Sequence, residues 1–197
     1  STTSVYDSPG DIFVVNTTEN DIFYTIHQNG SLLKWDSSND RIQYKLFSKN
    51  WKMVTVKTVE VSHDKTSLFM AGTLNNKAFA EIFDMRDLSR KKSLTQLGSS
   101  IIDASYKSNE EIFLLDNYGK SISLFKNGVN EHVIEPSGKL RSIKVNVKGD
   151  LLFGAGSDGN LYTYEIDNNY RESIILSVDD GIESIAISDN DSILAVG

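Results

Sequence analysis

Three histidines, His27, His63 and His132, are the only imidazoles in the chain, and it contains no cysteine. A zinc centre takes three or four converging ligands, and a nucleophilic relay needs a base within reach of its nucleophile. The histidines lie far apart, on different expected strands and turns, so each reads as a surface or hydrogen-bonded structural residue. Ser62, His63 and Asp64 place the members of a hydrolytic triad in one run. Adjacent side chains on a strand point to opposite faces, so the run has the wrong geometry for a relay. Ser, Asp and Lys at these offsets are turn chemistry instead. Asp64, Asp150, Asp158, Asp189 and Asp191 also fall in expected turns. Paired carboxylates for glycoside hydrolysis would have to come from distant segments facing one cavity. Asp189, Asn190 and Asp191 lack the glycine and distal glutamate of an EF-hand loop. Gly154 and Gly156 lack the spacing and following helix of a phosphate cradle. No catalytic residue, metal-ligand set or cofactor is therefore expected.

Charge narrows the partners. The formal net charge is −7, whereas phosphate-backbone binding depends on Lys and Arg displacing counterions, so no nucleic acid is expected. The one basic cluster, Arg86, Arg90, Lys91 and Lys92, reads as a solvated loop and strand edge. No apolar run approaches the ~20 residues of a membrane-spanning helix, so no membrane span is expected. Residues 1–10 lack the basic-then-apolar pattern of a signal peptide. With the absence of cysteine, this points to a cytoplasmic or otherwise intracellular location.

The elements that must position any site repeat along the chain. Residues 150–167 hold two short apolar strands around Asp158-Gly159, which suits a type I′ hairpin turn with both central residues at positive φ. Similar hairpins occur at 20–36 around Asn29-Gly30, at 65–84 with a longer loop at 73–77, and at 109–126 around Asn117, Tyr118 and Gly119. Each is preceded by one strand and followed by another; for the second unit the following strand is expected at 93–97. In register, Trp35, Phe83, Phe125 and Tyr164 close the third strands, at spacings of 48, 42 and 39 residues. Four strands per roughly forty residues without helical periodicity is the signature of β-propeller blades.

The third strands carry a likeness to a family. Trp35-Asp36 is a WD dipeptide, Phe83-Asp84 is a conservative variant, and Phe125-Lys126 and Tyr164-Glu165 are weaker ones. The chain resembles a divergent WD40 repeat protein over nearly all of its 197 residues. No Gly-His dipeptide opens any blade, so the family's His–Ser/Thr–Trp hydrogen-bond network is not carried over. The resemblance implies an all-β propeller of four-stranded antiparallel blades, as a single propeller segment over 1–197. Blades are expected at about 11–50, 51–98, 99–137 and 138–178, with a partial blade at 179–197. About four and a half blades of about 42 residues account for the chain. WD40 propellers commonly close with seven or eight blades, so the remaining ones are expected from the rest of the same polypeptide.

In such a fold the blade-joining loops and the second-to-third-strand turns share one face. Trp51 and Tyr118 fall there, with Lys52 and the polar Ser48, Lys49 and Asn50 around Trp51. Aromatics on a rigid scaffold are favoured binding anchors, so Trp51, Lys52 and Tyr118 are the candidate binding residues. The resemblance implies a non-catalytic protein-interaction scaffold with a protein partner. An enzyme or a small-ligand or sugar-binding propeller, with its site at the axial channel, is the alternative.

Overall fold

The computed structural model describes residues 12–16, 22–27, 31–36, 41–46, 54–188 and 190–197. Trp51, Lys52 and Asp189 lie outside them. The chain runs as consecutive antiparallel meanders. The first sheet holds β1 (Ile12–Asn16), β2 (Ile22–His27), β3 (Ser31–Asp36) and β4 (Arg41–Leu46). The second holds β5 (Val54–Val61), β6 (Ser67–Leu74), β7 (Lys77–Asp84) and β8 (Arg90–Ser93). The third holds β9 (Ile101–Tyr106), β10 (Glu111–Asp116), β11 (Ser121–Lys126) and β12 (Val129–Ile134). The fourth holds β13 (Leu140–Val145), β14 (Leu151–Gly156), β15 (Asn160–Glu165) and β16 (Arg171–Ser177). The fifth sheet has two strands, β17 (Ile185–Ile187) and β18 (Leu194–Val196). A single 3-10 turn, Ile166–Asn168, interrupts the all-β pattern among the described residues.

Burial explains the order of the strands. The middle strands of the second and third sheets are covered on both faces by neighbouring sheets. Accordingly β6 and β10 read as near-continuous apolar runs, and β6, β10 and β11 are buried along most of their length. The outer strands β8, β12 and β16 are mostly exposed. First strands lie side by side, β5 against β9, β9 against β13, and β13 against β17. Among the described residues four apolar layers fill the gaps between sheets, the smallest joining Ala155 and Leu161 to Ile182 beside the fifth sheet. Tyr24 and Ile26 meet Leu68, Met70 and Phe83. Phe69 and Leu94 meet Ile112, Leu114 and Phe125. Phe113, Leu124 and Ile134 meet Leu152, Tyr162 and Tyr164. Fully burying one such large side chain contributes roughly 1.5–3 kcal/mol, so the sheets are held mainly by their faces.

Several local expectations are corrected. The type I′ geometry belongs to Asn75-Asn76, whose φ values are +51° and +61°, in a two-residue turn where a longer loop was expected. At 157–159 only Gly159 is left-handed, at φ +81°. There Gly156 accepts the Gly159 N–H at 3.1 Å, and the Asp158 carboxylate accepts the Tyr162 hydroxyl at 2.5 Å. The loop is a three-residue hairpin, which needs only its last residue left-handed, so Asp158 keeps an ordinary φ. The fourth strand of the second sheet is Arg90–Ser93 rather than 93–97. Its three basic residues hide the strand from an apolar pattern, and charge of this kind also protects an outer edge from stray pairing.

Candidate functional site

Two regions gather polar groups, one at each end of the first strands. At the inner edge, Asp103 on β9 joins three sheets. Its Oδ1 accepts the Thr58 hydroxyl at 3.2 Å and the Ala104 N–H at 2.9 Å. Its Oδ2 accepts the Ser142 hydroxyl at 2.7 Å and the Ile143 N–H at 2.9 Å. Two residues along, Ser105 accepts the Val145 N–H at 3.0 Å. Further on, Lys144 on β13 pairs with Glu60 on β5 at 2.7 Å, spanning β9 between them. Burial pushes the Glu60 carboxyl above its ordinary range, and the Lys144 charge and hydrogen bond pull it partly back. These carboxylates are occupied as clasps between strands. None stands as a free base beside a nucleophile.

Beyond the clasps the inner strands open onto a cleft of about 440 Å³. Glu60, His63, Lys65, Tyr106, Lys144, Asn146 and Ile187 are among its walls. It lies at the end bearing the first-to-second-strand turns, opposite the blade-joining loops. Burial, with the negative charges of Glu60 and Asp64, pushes the Tyr106 hydroxyl well above the usual tyrosine range. The Ser62 hydroxyl donates to Asp64 at 2.6 Å rather than to His63, and Asp64 also accepts the Thr66 N–H and hydroxyl. Burial alone would raise the Asp64 carboxyl, but these hydrogen bonds together hold it below its ordinary value. The run is a turn motif, as its sequence suggests. His132 stacks on Tyr170 with centroids 4.5 Å apart. Among the described residues no group of His, Cys, Asp or Glu is arranged to hold a metal ion. No described helix is long and apolar enough to cross a membrane.

The opposite face carries Tyr118. Asn117, Tyr118 and Gly119 take consecutive left-handed conformations, at φ +49°, +60° and +84°. For an L-residue with a bulky side chain that conformation costs roughly 1–2 kcal/mol. The surroundings over-determine it. Asn117 Oδ1 accepts both the N–H and the hydroxyl of Ser99 at 3.0 Å, and the Tyr118 N–H donates to Ser100 Oγ at 2.9 Å. Gly119 C=O accepts the Leu140 N–H at 2.8 Å, which ties the turn to the next sheet. The result is a fixed backbone that holds an aromatic ring 65% exposed. An open cleft of about 610 Å³ adjoins Ser99, lined also by Asn76, Lys77, Thr95 and Gln96. The sequence places Tyr118 in this turn but carries no signal for the Ser99-Ser100 pair that pins it. A serine pair ahead of a strand is too common a pattern to single out.

Three of the third-strand aromatics lie between sheets. Phe83, Phe125 and Tyr164 are fully buried. Trp35 Nε1 donates to Thr25 Oγ1 at 2.9 Å, so the Thr–Trp leg of the family network is present although no Gly-His is. Asp36 ends β3, paired in register with Arg41. Asp84 ends β7 and accepts Arg86 through its backbone N–H, Nε and a terminal guanidinium nitrogen, at 2.8, 3.1 and 2.9 Å. The Arg86 hydrogen bonds, helped by the Lys91 charge, hold the Asp84 carboxyl far below its usual range. The basic cluster is thereby engaged locally, with Lys92 donating to the Asn127 carbonyl at 2.6 Å.

No protein-family model matches the sequence, and no curated protein matches it. Among solved structures the chain is similar to the β-propeller domain of Cps50 (Swd1) from Myceliophteria thermophila, with a TM-score of 0.76 and 14% identity. The match covers 93% of this chain and 61% of that one, so the chain spans about three fifths of the length of the structure it matches. At this identity the likeness shows the fold, a β-propeller of WD40-like four-stranded blades.

Proposed function

We propose that this chain is part of a non-catalytic protein-interaction propeller whose partner docks on the face carrying Tyr118. The observation that supports it is the pinned left-handed turn, because strain held in place by hydrogen bonds from a neighbouring loop marks a presented residue. Trp51 and Lys52, by their sequence positions in a blade-joining loop, are the further anchors of this reading. A protein is favoured over nucleic acid by the net charge of −7. An intracellular location and further blades from the same polypeptide belong to the same proposal. The test is an affinity pull-down with the full-length protein, followed by titration of the captured partner. Tyr118→Ala is expected to weaken binding about tenfold or more, as truncated aromatic anchors do, with the melting temperature unchanged. Unchanged affinity removes Tyr118 as an anchor. A second reading, a small ligand in the 440 Å³ inner cleft, draws on the mixed walls of that cleft. A ligand displaced by changes at Lys65 rather than at Tyr118 would favour it.

A further inference from the structure

Among the described residues the Tyr106 hydroxyl is buried without a hydrogen-bond partner. The residue is 3% exposed, and a polar group so enclosed calls for an acceptor. Tyr106 is also a wall of the 440 Å³ inner cleft. The charges of Glu60 and Asp64 add to burial in raising its hydroxyl, so that group stands toward the β5 side of the cleft. A second donor there is unspent as well. Lys65 lines the cleft, and its ammonium has no ion pair or hydrogen bond among the described residues. Its backbone is left-handed at φ +56°, and its N–H donates to the Ser62 carbonyl at 2.8 Å. In the equivalent turn of the fourth sheet the N–H that donates to the Asn146 carbonyl belongs to Gly149, at φ +77°. A lysine is therefore kept where the backbone favours glycine. The acids around the cleft are already engaged, Glu60 by Lys144 and Asp64 by Ser62 and Thr66. Part of the wall is apolar: Val147 is 54% exposed, and Ile187 belongs to the same cleft.

We infer that the inner cleft binds a small organic acid with an apolar body. The carboxylate accepts hydrogen bonds from the Tyr106 hydroxyl and from Lys65, and the body covers Val147 and Ile187. Donors left without acceptors select a ligand that brings oxygens, and exposed apolar side chains select one that brings carbon. The volume of about 440 Å³ lies within the range of small-molecule sites. The inference rests on the small-ligand reading of this cleft and is independent of the face carrying Tyr118.

Calorimetric titration of the full-length protein with hexanoate, hexanamide and inorganic phosphate tests this. Hexanoate is expected to bind, hexanamide to bind about tenfold more weakly or worse for want of charged hydrogen bonds, and phosphate not to compete. Tyr106→Phe keeps the ring that packs edge-on against Phe69 at 6.5 Å, so its melting temperature should not fall. Tyr106→Phe and Lys65→Met are each expected to weaken hexanoate about tenfold, as loss of one charged hydrogen bond does. Hexanamide binding as tightly as hexanoate overturns the inference and leaves the cleft reading standing with a neutral ligand. Phosphate binding that hexanoate cannot displace also overturns it, and again leaves the cleft reading standing. Hexanoate affinity unchanged in both variants overturns the inference and the cleft reading together, as does no binding of any probe at millimolar concentration.

Discussion

Asp84 shows how much one side chain contributes to a blade. It closes the β7–β8 turn by accepting three hydrogen bonds from Arg86, and Lys91 stands 3.4 Å away. Charged hydrogen bonds of this kind contribute roughly 1.5–3 kcal/mol, so Asp84→Ala is expected to destabilise the protein by about that amount at pH 7. Its folded pKa is depressed, so the contribution is fully present above the unfolded value of about 3.9 and is lost as the pH falls further. Urea titrations of the two proteins should therefore show a gap that is constant from pH 5 to 7 and narrows below about pH 4. A gap that persists unchanged at pH 2.5 would show that Asp84 acts by packing rather than by charge.

At the scale of elements, the turns decide where side chains go. Gly119 sits at φ +84°, and a Cβ there would come within 1.9 Å of the Leu140 carbonyl oxygen. Gly119→Ala therefore combines backbone strain with a clash against a neighbouring strand. A loss above about 2 kcal/mol is expected, beyond the usual range for a turn substitution. Thermal unfolding reads it, and a loss under 0.5 kcal/mol, on the order of a neutral surface change, would mean the turn yields easily. These turns also mark the limit of what the sequence conveyed. Hairpin positions were legible because Asn, Asp and Gly cluster between apolar runs. Turn types were not, because Asn75-Asn76 fills a two-residue loop and Asp158-Gly159 lies in a three-residue one, a difference of register set by strand pairing. The third-strand aromatics were legible as a period, since burial on both faces demands large apolar residues there. The Asp103 clasp was not, because its partners Thr58 and Ser142 lie 45 and 39 residues away on other sheets.

Across the whole molecule, the Lys144–Glu60 pair joins the second sheet to the fourth. Removing the lysine leaves Glu60 partly buried and unpaired. Fully buried pairs cost 3–5 kcal/mol when broken; here both side chains keep some exposure, and Lys144→Met should cost about 1–2 kcal/mol at pH 7.5. Burial raises the folded pKa of Glu60, so its contribution is present below the unfolded value and is lost as the pH rises through the folded one. The variant should therefore lose more stability than the parent between pH 4.5 and 7.5, and Glu60→Gln in the same chain should restore most of it. A variant with the parent's pH slope would show that the pair has no electrostatic weight.

The latches between first-to-second-strand turns carry a direction. Asn109 of the third sheet accepts the Asp64 N–H of the second at 3.0 Å, and Asp191 beside the fifth accepts Val147 N–H of the fourth at 2.7 Å. In both cases the later blade supplies the acceptor that the earlier one needs, just as its aromatic covers the earlier blade's outer strand. During synthesis the N-terminal segments emerge first. The second and fourth blades then leave the ribosome with an amide unsatisfied and a face uncovered until the next blade has been translated. At these two junctions consolidation lags translation by one repeat, so a pause there leaves the most recent blade open to chaperones.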